Sequence, residues 1–107
     1  MSDASKLNKA MQMLRDAGAY ADRRVACCQT CSWYEFEQRG VKETDTVLFT
    51  HLQTEEGVWK RGGNLKRDMY LYWQGDKELI AEAFVFAGLD IEIPETDATA
   101  FKVVAHA

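Results

Sequence analysis

The chain has 107 residues, of which 47% are hydrophobic and 28% charged, and a formal net charge of −4. That length suits one domain, residues 1–107, with a buried core. The acidic balance disfavours non-specific nucleic-acid binding, which needs a basic surface to release counterions. No apolar run approaches the roughly 20 residues that span a bilayer. Residues 1–12 lack the apolar centre of a secretory signal, so the expected address is cytoplasmic. Thiols stay reduced there, and three cysteines are not read as a disulfide framework.

The first element is a helix. Ser2 or Asp3 can cap it, Leu7, Met11 and Leu14 recur at helical spacing, and Gly18 stops it. Residues 22–28, DRRVACC, read as a short strand. Ser32 and Glu35 then fit a capping box, which predicts a helix over residues 33–39 closed by Gly40. The cysteines therefore fall on a strand-to-helix corner. Residues 46–51, TVLFTH, are a strand rich in β-branched and aromatic residues.

Residues 53–63 are ambiguous. Thr54 can cap a turn of helix, but Gly57 weakens it. The basic residues Lys60, Arg61, Lys66 and Arg67 flank Gly62 and Gly63 and read as a solvated loop. Residues 68–74, DMYLYWQ, form a strong strand with Met69, Leu71 and Trp73 on one face and Tyr70 and Tyr72 on the other. Asp76 caps the clearest helix, whose stripe is Leu79, Ile80, Ala83, Phe84 and Ala87, and Gly88 ends it. Residues 89–93 and 99–106 are the last two strands. The order is α-β-α-β-β-α-β-β. It predicts a two-layer α+β fold, with helices on one face of a mainly antiparallel sheet of about five strands.

All three cysteines lie within five residues, Cys27, Cys28 and Cys31. Zinc wants four tetrahedral ligands; Cys28-x-x-Cys31 has ligand spacing and His51 can be recruited from the next strand, but the chain has no second Cys-x-x-Cys or His pair. Cys27 joins only if the backbone turns sharply, because adjacent strand residues face opposite ways. A redox pair is the second option. Cys-x-x-Cys at a helix start suits a nucleophilic thiol, and Ile93-Pro94 is similar to the proline loop that faces such a site in thioredoxins. Against it, the capping box starts the helix at Ser32, after Cys31, which leaves the first thiol in the junction, and the antiparallel second half of the chain lacks an opening βαβ unit. A lone nucleophile paired with His51 or His106 is the third. The preferred reading is that these are buried or semi-buried structural cysteines, since free cysteine is among the most buried residue types.

The CC-x-T-C pattern of Cys27, Cys28, Thr30 and Cys31 resembles an uncharacterised bacterial family, a domain of unknown function. Val47, Leu48, Phe49, His51, Gln53, Thr54 and Glu55 are similar to that family's His-x-Gln-Asp-Thr-Glu strand, without its aspartate. Gly62-Gly63, Leu71-Tyr72, Gly75 and Gly88 are similar to its later motifs. The resemblance brings no activity. It implies that Cys27, Cys28, Cys31, His51, Gln53 and Glu55 share one neighbourhood.

His51 otherwise reads as a satisfied histidine at a strand end, and Glu55-Glu56 as a solvated pair. Trp59, Tyr70 and Tyr72 are candidates for a binding surface, because exposed aromatics mark partner sites. Together these features predict a small soluble non-enzymatic protein that binds a protein partner or itself and needs no cofactor. The alternative is thiol-dependent, with Cys28 and Cys31, helped by Cys27 and His51, serving zinc or redox chemistry.

Overall fold

A computed structural model of the chain describes residues 1–106. Two groups of apolar residues organise it, and they lie on opposite faces of one sheet. The strands are β1 (Tyr20–Asp22), β2 (Val47–Phe49), β3 (Met69–Gln74), β4 (Ile91–Glu92) and β5 (Phe101–Val103). The helices are α1 (Asp3–Asp16), α2 (Gln29–Gln38), α3 (Leu52–Glu55) and α4 (Lys77–Ala87). The sheet order is β1-β2-β3-β5-β4. Neighbours are antiparallel except β1 and β2, which run parallel with Tyr20 opposite Val47. The α+β class and the five-stranded, mainly antiparallel sheet are as the pattern predicts. The ambiguous segment contributes one extra turn of helix, α3.

All three residues of β2 are buried, which requires cover on both faces. Alternation sends Leu48 to the side of Met69, Leu71 and Trp73, where α1 and α4 supply Leu7, Met11, Leu14, Ile80 and Phe84. Val47 and Phe49 point the other way, against Phe36 of α2 and Tyr72. Thus α1 and α4 share one face while α2 lies on the other, so the expected placing of the helices on one face does not hold, because the apolar residues of β2 need cover on both sides. Phe36, Phe49, Phe84 and Phe101 are all fully buried. Each such side chain contributes about 1.5–3 kcal/mol by leaving water.

Local chemistry sets the helix ends. Ser2 accepts from the Ser5 N–H and Asp76 from the Leu79 N–H, and Gly88 closes α4 in the left-handed conformation. The strands expected over residues 46–51, 89–93 and 99–106 are shorter, at Val47–Phe49, Ile91–Glu92 and Phe101–Val103, and two further boundaries move at the cysteine corner. The strand expected over residues 22–28 is Tyr20–Asp22. Beyond it, Val25 and Ala26 still bond to Thr50 and Leu52. Arg24, whose φ of 53° is the single positive value at a non-glycine among the described residues, breaks the ladder. The Ser32–Glu35 capping box does not form either. Helix α2 starts a turn earlier, with Cys28 as its N-cap. Ser32 is buried inside it, and its hydroxyl donates to the Cys28 carbonyl at 2.8 Å.

These shifts decide where the cysteines sit. Strand β1, helix α2 and the parallel strand β2 make a βαβ unit in the first half of the chain. Cys27, Cys28 and Cys31 lie where β1 hands over to α2, beyond the carboxyl end of a parallel strand. That is where open α/β sheets bind ligands.

Candidate functional site

The chain bends between Arg24 and Gln29, so Cys27 and Cys28 do not alternate as strand residues. Their sulfurs are 3.8 Å apart. The Cys31 sulfur, one turn into α2, completes a group whose three sulfurs all lie within 4.8 Å of one another. All three are free thiols, with Cys27 and Cys31 exposed and Cys28 half-buried. The expectation of buried or half-buried structural thiols fits Cys28 alone, since Cys27 and Cys31 are exposed. The core of this half of the molecule is built from Phe36, Val47 and Phe49 instead.

The helix start polarises the group. The first N–H groups of α2 lack intrahelical partners, and Cys28, as N-cap, makes no side-chain capping bond. The Cys31 N–H and thiol, and the Cys27 thiol, favour the Cys28 thiolate and hold its pKa below the usual 9.0. The reverse applies to Cys31. Its thiol donates to Cys28, and the neighbouring sulfurs oppose a second negative charge, which pushes it up to about 11.

Cys27 also lines a cleft of about 400 Å³ with Arg24, Leu52, Gln53, Glu55 and Glu56. Of the residues the resemblance groups together, Cys27, Gln53 and Glu55 thus border one cleft. His51 has a different task. It is buried, it caps α3 by accepting the Thr54 N–H on Nδ1 at 3.3 Å, and its ring stacks on Tyr72. Burial holds its pKa below 6.5. Among the described residues the converging group is the three cysteines, without His51.

Glu55 is not the solvated carboxylate expected from Glu55-Glu56. It is buried, and only Glu56 is exposed. Its Oε2 accepts from Arg23 Nε at 3.0 Å and Thr50 Oγ1 at 2.5 Å. Its Oε1 accepts from Arg23 Nη2 at 2.6 Å, Arg24 Nε at 3.1 Å and Trp59 Nε1 at 3.0 Å. Burial raises its pKa, but the bonds from Arg23, Thr50 and Trp59 outweigh that and hold it at about 2. Glu55 thereby pins Arg23 and Arg24, the residues that lead into the cysteine corner. With every lone pair engaged, it is a structural anchor rather than an acid or base.

The candidate aromatics do not form one surface. Trp59 packs on the α1–α4 side with Arg23 over its ring at 5.1 Å. Tyr72 stacks between Phe49 and His51, and Tyr70 alone of the three is exposed. Pro94 follows β4, at the opposite sheet edge from β1, so it does not face the cysteines. The described residues contain no cis peptide bond. No helix among them is long and apolar enough to cross a membrane. No family model, curated protein or solved structure matches the chain.

Proposed function

We propose that the protein is a thiol-dependent metal binder in which Cys27, Cys28 and Cys31 hold one zinc-class ion. The convergence of three accessible sulfurs within 4.8 Å carries this reading. A zinc–sulfur bond of about 2.3 Å and a tetrahedral angle place bound sulfurs about 3.8 Å apart. Cys27 and Cys28 already stand 3.8 Å apart, and Cys31, within 4.8 Å of both, completes the set by closing in on them. Thiolate is also the donor that soft and borderline metals select. The helix start supports deprotonation of Cys28, which ligation requires.

Three protein ligands leave a fourth position for water or an incoming group. That is the pattern of a site that engages something, as opposed to a closed structural site. The cleft beside Cys27, with Arg24 and Gln53 on its wall, is the natural place for that group. Titration of metal-free protein with Co²⁺ tests the reading. A thiolate-to-cobalt charge-transfer band saturating at one equivalent, and lost in Cys28→Ser and Cys31→Ser, is expected. No band, or one unchanged in both variants, would overturn it.

A second reading, self-association, is favoured by a different observation. On the outer side of α4, Val85 is 66% and Phe86 68% exposed. Ala81 and Glu82 border them, and Lys9 of α1 lies over the Phe86 ring. A rim carrying both Lys9 and Glu82 is self-complementary, so the occupant proposed is a second copy of the chain packed about a two-fold axis.

A further inference from the structure

The cysteine corner has a capacity that does not depend on a bound metal. Cys28 and Cys31 have Cys-x-x-Cys spacing, and Cys28 is the N-cap of a ten-residue helix that leaves a parallel strand. The two sulfurs belong to a group spanning no more than 4.8 Å, at an accessible corner. The unpartnered N–H groups of the first turn of α2 can receive negative charge on Cys28. Cys31, one turn along the same helix, is held beside it. Cys27 and Cys28 are adjacent, and joining them would close a strained ring through one peptide bond. Cys28 and Cys31 are therefore the pair able to bridge.

We infer that metal-free Cys28 and Cys31 exchange with small-molecule disulfides, Cys28 attacking and Cys31 resolving, and that metal occupancy blocks the reaction. In the first step the Cys28 thiolate attacks one sulfur of the external disulfide. A Cys28 mixed disulfide forms, the external S–S bond breaks, and one small thiolate leaves. In the second step Cys31 loses its proton to solvent and its sulfur attacks Cys28 Sγ. The Cys28–Cys31 disulfide forms and the second small thiolate leaves. Two protein thiols are oxidised and one external disulfide is reduced to two thiols, which take up the two protons. Cys27 stays free. The exchange uses the same cluster as the proposed metal site but stands without it. Only the blocking effect rests on that reading, because oxidation removes two of its three ligands.

The test uses the full chain, stripped of metal, with oxidised glutathione as the probe. Intact mass and peptide mapping should show loss of two hydrogens, a Cys28–Cys31 link and an alkylatable Cys27. Cys31→Ser should stop at a glutathione adduct on Cys28. No reaction, a Cys27–Cys28 link, or a wild-type protein that accumulates the same adduct as Cys31→Ser would overturn the exchange. Zinc added before the oxidant should slow oxidation at least tenfold. If the Co²⁺ titration shows binding but zinc does not slow the oxidation, the blocking claim fails and the metal reading stands. If the protein binds no metal yet forms the Cys28–Cys31 link, the metal reading fails and the exchange stands.

Discussion

Replacing Glu55 with glutamine tests whether this buried carboxylate fixes the approach to the cysteine corner. The substitution keeps volume and shape, so no cavity confuses the result. It cannot keep the hydrogen bonds. Oε1 accepts from Arg23, Arg24 and Trp59, and Oε2 from Arg23 and Thr50. An amide nitrogen in either place meets guanidinium donors and loses at least one bond, since only the Thr50 hydroxyl can turn to accept, and Arg23 and Arg24 lose their counter-charge. Breaking a fully buried ion pair costs about 3–5 kcal/mol. The Arg23 side chain is 20% and that of Arg24 56% exposed, so water recovers part of the loss. About 3 kcal/mol is expected at neutral pH, or roughly 12 °C in Tm for a domain of this size.

The pH dependence gives an independent check. The folded pKa of Glu55 is about 2, depressed from 4.5. Between those values the unfolded chain holds the extra proton, so the stabilisation is complete above the unfolded value and drains away as pH falls toward 2. Urea unfolding followed by tryptophan fluorescence, at neutral pH and in steps down to pH 3, measures both quantities. The gap between wild type and Glu55→Gln should be widest at neutral pH and narrow in acid. A loss under about 0.5 kcal/mol, the level of an ordinary surface substitution, or a gap that stays constant with pH would refute the anchoring role.

The remaining predictions concern backbone and surface. Gly75 has φ +88°, and a Cβ there would stand 2.6 Å from Thr46 Cα and 2.9 Å from Asp45 O. Gly75→Ala should therefore cost about 2–4 kcal/mol in urea unfolding. Gly40→Ala, with φ +86° but nothing within 4 Å, is its control and should cost about 1 kcal/mol. Equal losses would show that the close approach of strand and turn is immaterial. Phe86→Glu should keep the fold and abolish any dimer seen by light scattering, whereas a wild-type chain that is strictly monomeric at high concentration removes the self-association reading.

Legibility in the sequence followed the range of the interactions. The caps of α1 and α4 were readable because Ser2, Asp76 and Gly88 act within one turn of where they stand. The alternation in β3 was readable because each residue's face is set by its neighbour. Helix α2 begins one turn before the expected start for a related reason. Cysteine is not a favoured N-cap, so Ser32 drew the start, although its hydroxyl turns back to the Cys28 carbonyl. Without the earlier start, Cys28 and Cys31 do not share the first turn of a helix.

Long-range features were hidden. Glu55 is buried because Arg23 and Arg24, more than thirty residues earlier, return to it. The solvated reading of a Glu-Glu pair had no access to that. The parallel pairing of β1 with β2 and the cover of both sheet faces are tertiary facts that three-residue strands cannot encode in their own pattern. The convergence of Cys27 with Cys28 depended on Arg24 leaving the strand conformation, and arginine gives no sign of a positive φ.

The most direct test is the zinc content of protein purified without chelator, by elemental analysis, for wild type and Cys28→Ser. Three convergent thiolates predict one equivalent per chain in the wild type and a loss of most of it in the variant. A wild-type chain that carries no zinc and takes none up, or a variant that keeps its full equivalent, would contradict a metal site built from Cys27, Cys28 and Cys31.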